Sequence, residues 1–331
     1  MLNRANQLTR REILAAAAAV STVVLASRTA LAQGAKVPRV GVIVQIPGPY
    51  FDTVRDGLAK LGYVSGQNII LEPRFAEGQP ARLPEFAAEM TRLNVDLIVA
   101  IGAIVVTALR KVTSTIPIVF VAVVDPVGSG FAASVDRPGG NITGVTSFDK
   151  DQPTKQLEML KQVVPTLSRV TFLSDEVLQR PSRFEGSYED AAKAMGMEPH
   201  VLRLKGPSPD LEGAFAAMMS NKTDGMVTLE LPVTIQHQNR IAEMAAQHRI
   251  PALFPGGFAR AGGLVTYGTS IMDTLPHVSE YVDKILRGAS AAELPIRFTA
   301  RRELIFNLRA ARSTGVTIPR ALLDQADRVV E

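Results

Sequence analysis

The feature that most constrains the fold is a regular alternation, from residue 38 onward, of short valine- and isoleucine-rich runs with longer amphipathic runs. The runs RVGVIVQI (39–46), DLIVAIG (96–102) and PIVFVAV (117–123) are typical of strands that are buried on both faces of a parallel sheet. Between them lie segments of helix length whose apolar residues recur every three to four positions. This alternation predicts an α/β fold with doubly wound, mainly parallel sheets.

The pattern occurs twice, with a restart after the segment SFDKDQPTKQ, so we predict two similar lobes around a cleft. The predicted strands are 39–46, 68–75, 96–102, 117–123, 142–148, 169–175, 198–204, 224–230 and 251–255. The predicted helices are 50–61, 80–93, 103–112, 153–163, 183–196, 209–220, 233–248 and 271–287. The C-terminal part supplies more elements than one lobe needs, which favours a chain that crosses between the lobes more than once. We expect a first lobe of residues 36–148 plus about 265–288, and a second lobe of residues 149–264 plus about 289–331.

Residues 1–32 have the pattern of an export signal. A basic start precedes an apolar run at 13–26, and the small-residue pattern Ala30-Leu31-Ala32 predicts cleavage near Ala32. The apolar run is shorter than the roughly 20 residues that cross a bilayer, so a permanent anchor is disfavoured. The paired Arg10 and Arg11 resemble a twin-arginine signal, with an ordinary Sec signal as the alternative. The expected location is the bacterial periplasm.

Charge and residue usage exclude several classes of function. Outside residues 1–32 the chain carries 32 basic and 31 acidic residues, without the concentrated basic surface that nucleic-acid binding requires. There is no cysteine, so disulfides, thiolate sites and a lipid-modified cysteine are excluded. The four histidines lack metal-ligand spacing, and no G-x-S-x-G, H-E-x-x-H or P-loop motif occurs. We therefore predict no catalytic residue, no metal site, no cofactor and no nucleic-acid partner.

The stretch FVAVVDPVGSG (120–130) ends a predicted strand on an acid, a proline and two glycines. A dinucleotide fingerprint needs its glycines directly after the first strand, whereas Gly128 and Gly130 follow the fourth. A phosphate cradle is therefore disfavoured. Asp125 lies where ligands bind in open α/β sheets, beyond the carboxyl end of a strand. Two roles remain open for it: contact with a ligand, or capping of a helix that begins near Val127.

Other predicted strand ends supply further candidates for the same cleft. Gly102 and Ala103 join a strand to a helix whose free backbone amides suit a carboxylate, although a tight turn without a ligand explains them equally well. In the second half, Ser174 and Glu230 lie at strand ends. The aromatic rings of Phe254 and Tyr267 are candidates for stacking on a ligand, with ordinary packing as the alternative.

Several segments, in order and spacing, resemble the ABC-transporter substrate-binding proteins of the tryptophan/tyrosine-type group. They include GLAKLGYVSGQNIILEPRFAEGQPARLPEFAAEM (57–90), the stretch 95–145, AGGLVTYG (261–268), VDKILRGASAAELPI (282–296) and the C-terminal ELIFNLRAARSTGVTIPRALLDQADRVVE. The resemblance implies a type 1 periplasmic binding protein fold. It also implies ligand contacts at the turn after the first strand, which includes Gln45 and Pro47, and at Gly102, Ala103, Asp125, Pro126, the second-lobe strand ends and Tyr267.

From the resemblance we expect a periplasmic solute receptor without catalysis, mostly monomeric, that closes on a small ligand and docks on ABC permease subunits at the inner membrane. An amino acid or a small carboxylate is the expected ligand. Two alternatives remain open at this point. One is a secreted α/β enzyme, which would need an acid/base pair or a nucleophile in the cleft. The other is a ligand-sensing subunit that reports to a receptor rather than to a permease.

Overall fold

The computed structural model describes residues 36–146, 151–176, 183–258, 261–299 and 302–331. The export signal predicted at residues 1–32 lies outside these ranges. The strands are β1 Arg39–Val44, β2 Ile70–Phe75, β3 Leu97–Ile101, β4 Ile118–Val121, β5 Ile142–Thr146, β6 Arg169–Asp175, β7 Glu198–Leu204, β8 Gly225–Thr228, β9 Ala252–Phe254, β10 Val265–Gly268, β11 Arg297–Phe298, β12 Glu303–Asn307 and β13 Arg328–Val330.

The helices follow the predicted amphipathic runs closely. They are α1 Tyr50–Lys60, α2 Leu83–Arg92, α3 Ala103–Leu109, α4 Gln152–Val163, α5 Arg183–Ala194, α6 Leu211–Ser220, α7 Pro232–Gln236, α8 Gln238–Gln247, α9 Ile271–Leu286, α10 Leu308–Thr314 and α11 Arg320–Leu323. Short 3-10 turns occupy Pro80–Arg82 and Gly256–Phe258. No helix in the described part of the chain combines the length and the apolar character that a bilayer crossing requires.

The strands form two sheets with the same doubly wound order. The first sheet runs β11-β5-β4-β3-β1-β2 and is parallel throughout. The second runs β13-β12-β10-β9-β8-β6-β7 and is parallel except where β10 meets β12. In both sheets the order reverses beside the first strand, between β1 and β3 and between β6 and β8. The carboxyl ends of strands at such a reversal are the usual place for a ligand.

Each sheet is covered by helices on both faces, which explains the unbroken Val/Ile runs. Helices α1 and α9 pack on one face of the first sheet, and α2 and α3 pack on the other. In the second sheet α4, α5, α10 and α11 cover one face, and α6, α7 and α8 cover the other. Strands β3 and β4 are buried at every residue, so they fix the middle of the first sheet.

Three details differ from the sequence-based expectations. The predicted helix 233–248 is two helices, because the backbone breaks at His237, whose ring contacts the carbonyl oxygen of Pro207 at 2.8 Å. No helix begins near Val127; residues 126–130 form consecutive turns, and Gly130 has a φ of 68° that a helix does not use. The third detail is sheet membership: β10 lies in the second sheet, whereas β11 pairs with β5 of the first.

Candidate ligand-binding site

A cavity of about 510 Å³ lies where the carboxyl ends of the strands of the two sheets face each other. This volume falls within the range of small-molecule sites, which is roughly 300–1,000 Å³. Its walls are mostly apolar, with a few polar and charged side chains. The lining residues are Gln45, Ile46, Tyr50, Ile101, Gly102, Ala103, Ile104, Thr107, Arg110, Ala122, Val124, Asp125, Gly128, Ser129, Phe131, Arg183, Phe184, Glu230, Leu231, Pro232, Ile235 and Ile271.

The wall from the first sheet begins at the turns that follow β1 and β3. Gly102 has a φ of 115°, and a Cβ there would lie 2.3 Å from the Oε1 atom of Gln45. Only glycine therefore allows the buried Gln45 side chain to lie across this turn. Ala103, Thr107 and Arg110 then present one face of α3 to the cavity, at the i, i+4, i+7 spacing of a helix.

Asp125 lines the cavity and also holds its own loop. Its Oδ1 atom accepts the backbone N–H of Gly128 at 2.7 Å, which caps the turn rather than a helix. Its Oδ2 atom lies 4.0 Å from Nη1 of Arg183, the first residue of α5, which packs on the second sheet. A Cβ at Gly128 would lie 1.9 Å from Oδ2, so any larger residue there would force the carboxylate to shift. Asp125 therefore caps a turn rather than the helix expected near Val127, and its contact with a ligand stays a prediction.

Ala122 places this loop by an unusual backbone conformation. It follows β4 directly and has a φ of 59°, which costs a non-glycine residue about 1 kcal/mol or more. The next carbonyl, that of Val123, accepts a hydrogen bond of 2.6 Å from the buried Thr146 hydroxyl. The strained residue therefore lies at the cavity wall, where strain is commonly stored in proteins.

The wall from the second sheet comes from the segment after β8 and from the start of α5. The Oδ2 atom of Asp175, at the end of β6, accepts the backbone N–H of Val233 at 3.0 Å and so fixes the start of α7. This contact positions Leu231, Pro232 and Ile235 along the cavity. Arg183 and Phe184 add a charged and an aromatic side chain from α5.

Glu230 is the acidic residue on this wall, and its protonation is strongly perturbed. Burial raises the pKa of Glu230 to about 8, and a hydrogen bond from the backbone N–H of Ile271 opposes that rise. The pKa of the neighbouring Tyr50 phenol is also raised, to about 12, by burial and by the charge of Glu230. At neutral pH the Glu230 carboxyl is therefore mostly protonated when the cavity holds no charged group beside it.

A second cavity of about 360 Å³ adjoins the same wall. Its lining shares Ile46, Tyr50, Glu230, Ile235 and Ile271 with the first cavity. The turn Pro47–Pro49 and residues of the Gly256–Phe258 turn complete it.

Six of the ten sequence-predicted site residues line these two cavities. They are Gln45, Gly102, Ala103 and Asp125 in the first, Pro47 in the second, and Glu230 in both.

The other four predicted residues do not line either cavity. Ser174 is fully buried, and its hydroxyl donates to the Oε1 atom of Glu185 at 2.6 Å inside the second half of the chain. Phe254 is fully buried against Phe258 and leaves no room for a side chain at Gly263. Tyr267 packs against the hydrophobic core, and its carbonyl accepts from Gln156. Pro126 lies in the turn beyond the cavity wall.

Several lining residues were missed by the sequence analysis: Tyr50, Thr107, Arg110, Phe131, Arg183, Phe184, Ile235 and Ile271. The helical spacing of Ala103, Thr107 and Arg110 is a signal that would have found two of them. Arg183 and Phe184 carry no local signal, because only the packing of one sheet opposite the other brings them to the cavity.

The described residues contain no cluster of three or more histidine or acidic side chains that could hold a metal ion. The site is a largely apolar space with a few charged groups in its lining, formed between two similar α/β halves. Two doubly wound sheets whose strand ends enclose such a space define a ligand-binding protein of the type 1 periplasmic binding protein architecture.

The chain belongs to the ABC transporter substrate binding protein family, whose sequence profile matches residues 39–330. A curated relative, the tyrosine-binding protein of Clostridioides difficile (strain R20291), is 23% identical over 283 residues, covering 82% of this chain and 79% of that protein. Family and relative are binding proteins rather than enzymes.

Solved structures show the same fold. A conserved domain protein from Vibrio cholerae superposes with a TM-score of 0.81 at 25% identity, covering 89% of this chain and all of the other. The ABC domain from Streptococcus pneumonia, in complex with L-Trp, superposes with a TM-score of 0.79 at 21% identity. The match covers 88% of this chain and 99% of the other. The expected fold class is thereby confirmed.

Proposed function

We propose that this protein is the periplasmic solute receptor of an ABC importer and that it captures one small amino acid or carboxylate in the cavity between its two sheets. The observation that carries the proposal is the cavity itself, whose size suits such a ligand and whose lining comes from both halves. The curated relative is named a tyrosine-binding protein, which supports an amino acid as the first choice.

In this proposal Gln45, Gly102, Ala103, Asp125 and Glu230 contact the ligand, together with the lining residues that the sequence did not reveal. We assign the lobes by sheet membership. The first comprises residues 36–146 with 271–299, and the second comprises 151–268 with 302–331. A ligand that touches both walls would favour the closed arrangement, and the closed form would dock on the permease.

Export follows from the leader. We propose that residues 1–32 direct the chain to the periplasm and are removed near Ala32, leaving a mostly monomeric mature protein. Intact-mass measurement of the protein from the periplasm of its own cells tests this directly. A mass that corresponds to a chain starting at Gln33 supports the proposal, and retention of the full leader contradicts it.

The ligand claim is tested by thermal unfolding with a panel of the common amino acids and small mono- and dicarboxylates. A ligand at 100 times its Kd adds about 2.7 kcal/mol to the free energy of unfolding, which raises Tm by several degrees in a chain of this size. Ala103→Trp should fill the cavity and abolish the shift. Ala59→Trp is the matched control, because Ala59 is exposed on α1, away from the cavity. No response to any compound, or an equal response from the Ala103→Trp variant, contradicts the proposal.

A further inference from the structure

Glu230 occupies the wall that the two cavities share. Its segment follows β8, at the strand reversal of the second sheet, and its carboxyl group faces elements of the first sheet. A Cβ on Gly257 would lie 2.6 Å from its Oε1 atom, so glycine at that position makes room for the carboxylate. The acid is therefore built into the site rather than placed on its rim.

The surroundings of this carboxyl group supply hydrogen bonding but no countercharge. The backbone N–H of Ile271, in the first turn of the 16-residue helix α9, is its hydrogen-bond donor. The titratable groups that face it are the phenols of Tyr50 and Tyr188, whose electrostatic environments it affects. Among the described residues, no basic side chain perturbs the pKa of Glu230.

The other charged lining residues belong to a different part of the cavity. Arg110, Asp125 and Arg183 gather around the loop after β4, where Asp125 and Arg183 approach each other at 4.0 Å. Glu230 instead adjoins Tyr50 and the turn after β1. Strands β1 and β4 are separated by β3, so the two ends of the first-sheet wall are roughly 10 Å apart. In the part of the chain that the structure describes, no ion pair within 4 Å joins Glu230 to either arginine, and Arg183 lies nearest to Asp125 among the acids.

The Glu230 carboxyl group faces a largely apolar cavity, accepts from a helix N-terminus and forms no ion pair with a described basic residue. Such a group is completed by a cation that arrives with the ligand. Resting on the proposed function, we infer that Glu230 is the specificity-determining contact for a protonated amine of the ligand. The site would then select amine-bearing ligands over their deaminated analogues.

The proton balance follows from the protonation of the two groups. Before binding, burial keeps the pKa of Glu230 at about 8, so at pH 7 most molecules hold the carboxyl proton. The ligand enters as an ammonium ion, Glu230 ionises to pair with it, and the carboxyl proton leaves to the buffer. Binding at pH 7 should therefore release about one proton per ligand, and release should vanish well above pH 8.

Isothermal titration calorimetry tests this in two buffers of different ionisation enthalpy at pH 7. The probes are L-tyrosine, L-phenylalanine and L-tryptophan, with 2-phenylethylamine and 3-phenylpropionate as analogues that lack one charged group each. Amines should bind with a heat that depends on the buffer by the amount expected for about one proton. 3-Phenylpropionate should bind at least about tenfold more weakly than L-phenylalanine and release no proton.

Glu230→Gln tests the residue, because its amide oxygen can still accept from Ile271 while the charge is removed. It should weaken amine binding at least about tenfold and abolish proton release. Glu158→Gln is the matched control, because Glu158 is an exposed acid on α4 that lines neither cavity, and it should leave both amine binding and proton release unchanged. Amine binding without proton release, equal affinity of Glu230→Gln, equal binding of 3-phenylpropionate and L-phenylalanine, or no amine binding at all overturns the inference.

The two proposals fail in different ways. If carboxylates without an amine bind and Ala103→Trp blocks them, the inference about Glu230 is wrong while the receptor function stands. If no compound of the wider panel binds, both are wrong. A measurement without any ligand adds an independent check: carbon-13 NMR of labelled glutamate should show a carboxyl that titrates near pH 8 and is missing from Glu230→Gln. Absence of such a titration also overturns the inference.

Discussion

At the residue scale, Glu230 links the stability of the fold to pH. Its pKa is raised from the usual 4.5 to about 8 in the folded chain, so between these values the folded state keeps a proton that the unfolded state has lost. The free energy of unfolding should therefore fall as pH rises through this window, by up to about 1.4 kcal/mol per pH unit from this group. Acids such as Asp224 and Asp283 have lowered pKa values, so their contribution to the free energy of unfolding is lost at lower pH instead.

Urea unfolding at pH 5, 6.5 and 8 compares the wild type with Glu230→Gln. The variant cannot titrate at this position, so it should lose less stability than the wild type as pH rises from 5 to 8. The difference between the two proteins isolates Glu230, because every other group is common to both. Parallel pH profiles would show that Glu230 titrates in the folded chain as it does in the unfolded one.

Two variants of Asp125 distinguish the contribution of its hydrogen bond to stability from that of its charge. Its hydrogen bond to Gly128 holds the loop after β4, whereas its pairing with the exposed Arg183 is long and screened by solvent. We expect Asp125→Ala to lower the free energy of unfolding by about 1 kcal/mol and Asp125→Asn to change it by less than about 0.5 kcal/mol. Chemical denaturation measures both. A large loss in Asp125→Asn would mean that the charge, not the capping, holds the loop.

At the element scale, the turn from β3 into α3 depends on glycine. The φ of 115° at Gly102 and the close approach of Gln45 mean that Gly102→Ala meets both backbone strain and a collision. We expect a loss of roughly 1–3 kcal/mol of stability, together with weaker ligand binding because Gln45 must move.

Gly66→Ala is the control for this change. Gly66 also has a positive φ, 81°, but no atom lies within 4 Å of the site where a Cβ would stand. This variant should show the strain without the collision and should bind ligand normally. Equal stability and equal binding in the two alanine variants would remove the role given to the contact between Gly102 and Gln45.

The elements differ in how far the sequence determines them. Strands such as β3 and β4 are buried at every position, so their Val/Ile runs predicted them within about two residues. The sheet membership of β10 and β11 was not predictable in the same way, because short strands of four and two residues take their partners from tertiary packing. The second-sheet wall of the cavity was only partly predicted for a related reason, since Arg183 and Phe184 reach it only when the sheets face each other.

The residues predicted near strand ends differ in whether they reach the cavity. Gly102 follows β3 directly, Asp125 lies in the loop after β4, and both line the cavity. Phe254 and Ser174 also lie at strand ends, but neighbouring residues of the second sheet enclose them. Position relative to a strand therefore predicts the region of the site, and packing decides which side chains reach it.

At the scale of the whole molecule, two halves that share one cavity should respond to ligand by closing. Small-angle scattering with a bound ligand should give a smaller radius of gyration than the ligand-free protein, because ligand contacts on both walls favour the closed population. Ala103→Trp should show no such ligand-dependent decrease. An unchanged radius at saturating ligand would mean that binding does not draw the halves together.

Native mass spectrometry of the protein isolated from the periplasm of its own cells gives the clearest test of whether the cavity between the two sheets holds a small ligand. We expect the wild type to carry one small molecule that is lost on denaturation, and the Ala103→Trp variant, isolated in the same way, to carry none. A small molecule retained equally by both proteins would place the ligand elsewhere, and a wild type that never carries one, even after incubation with the amino-acid and carboxylate panel, would contradict the claim.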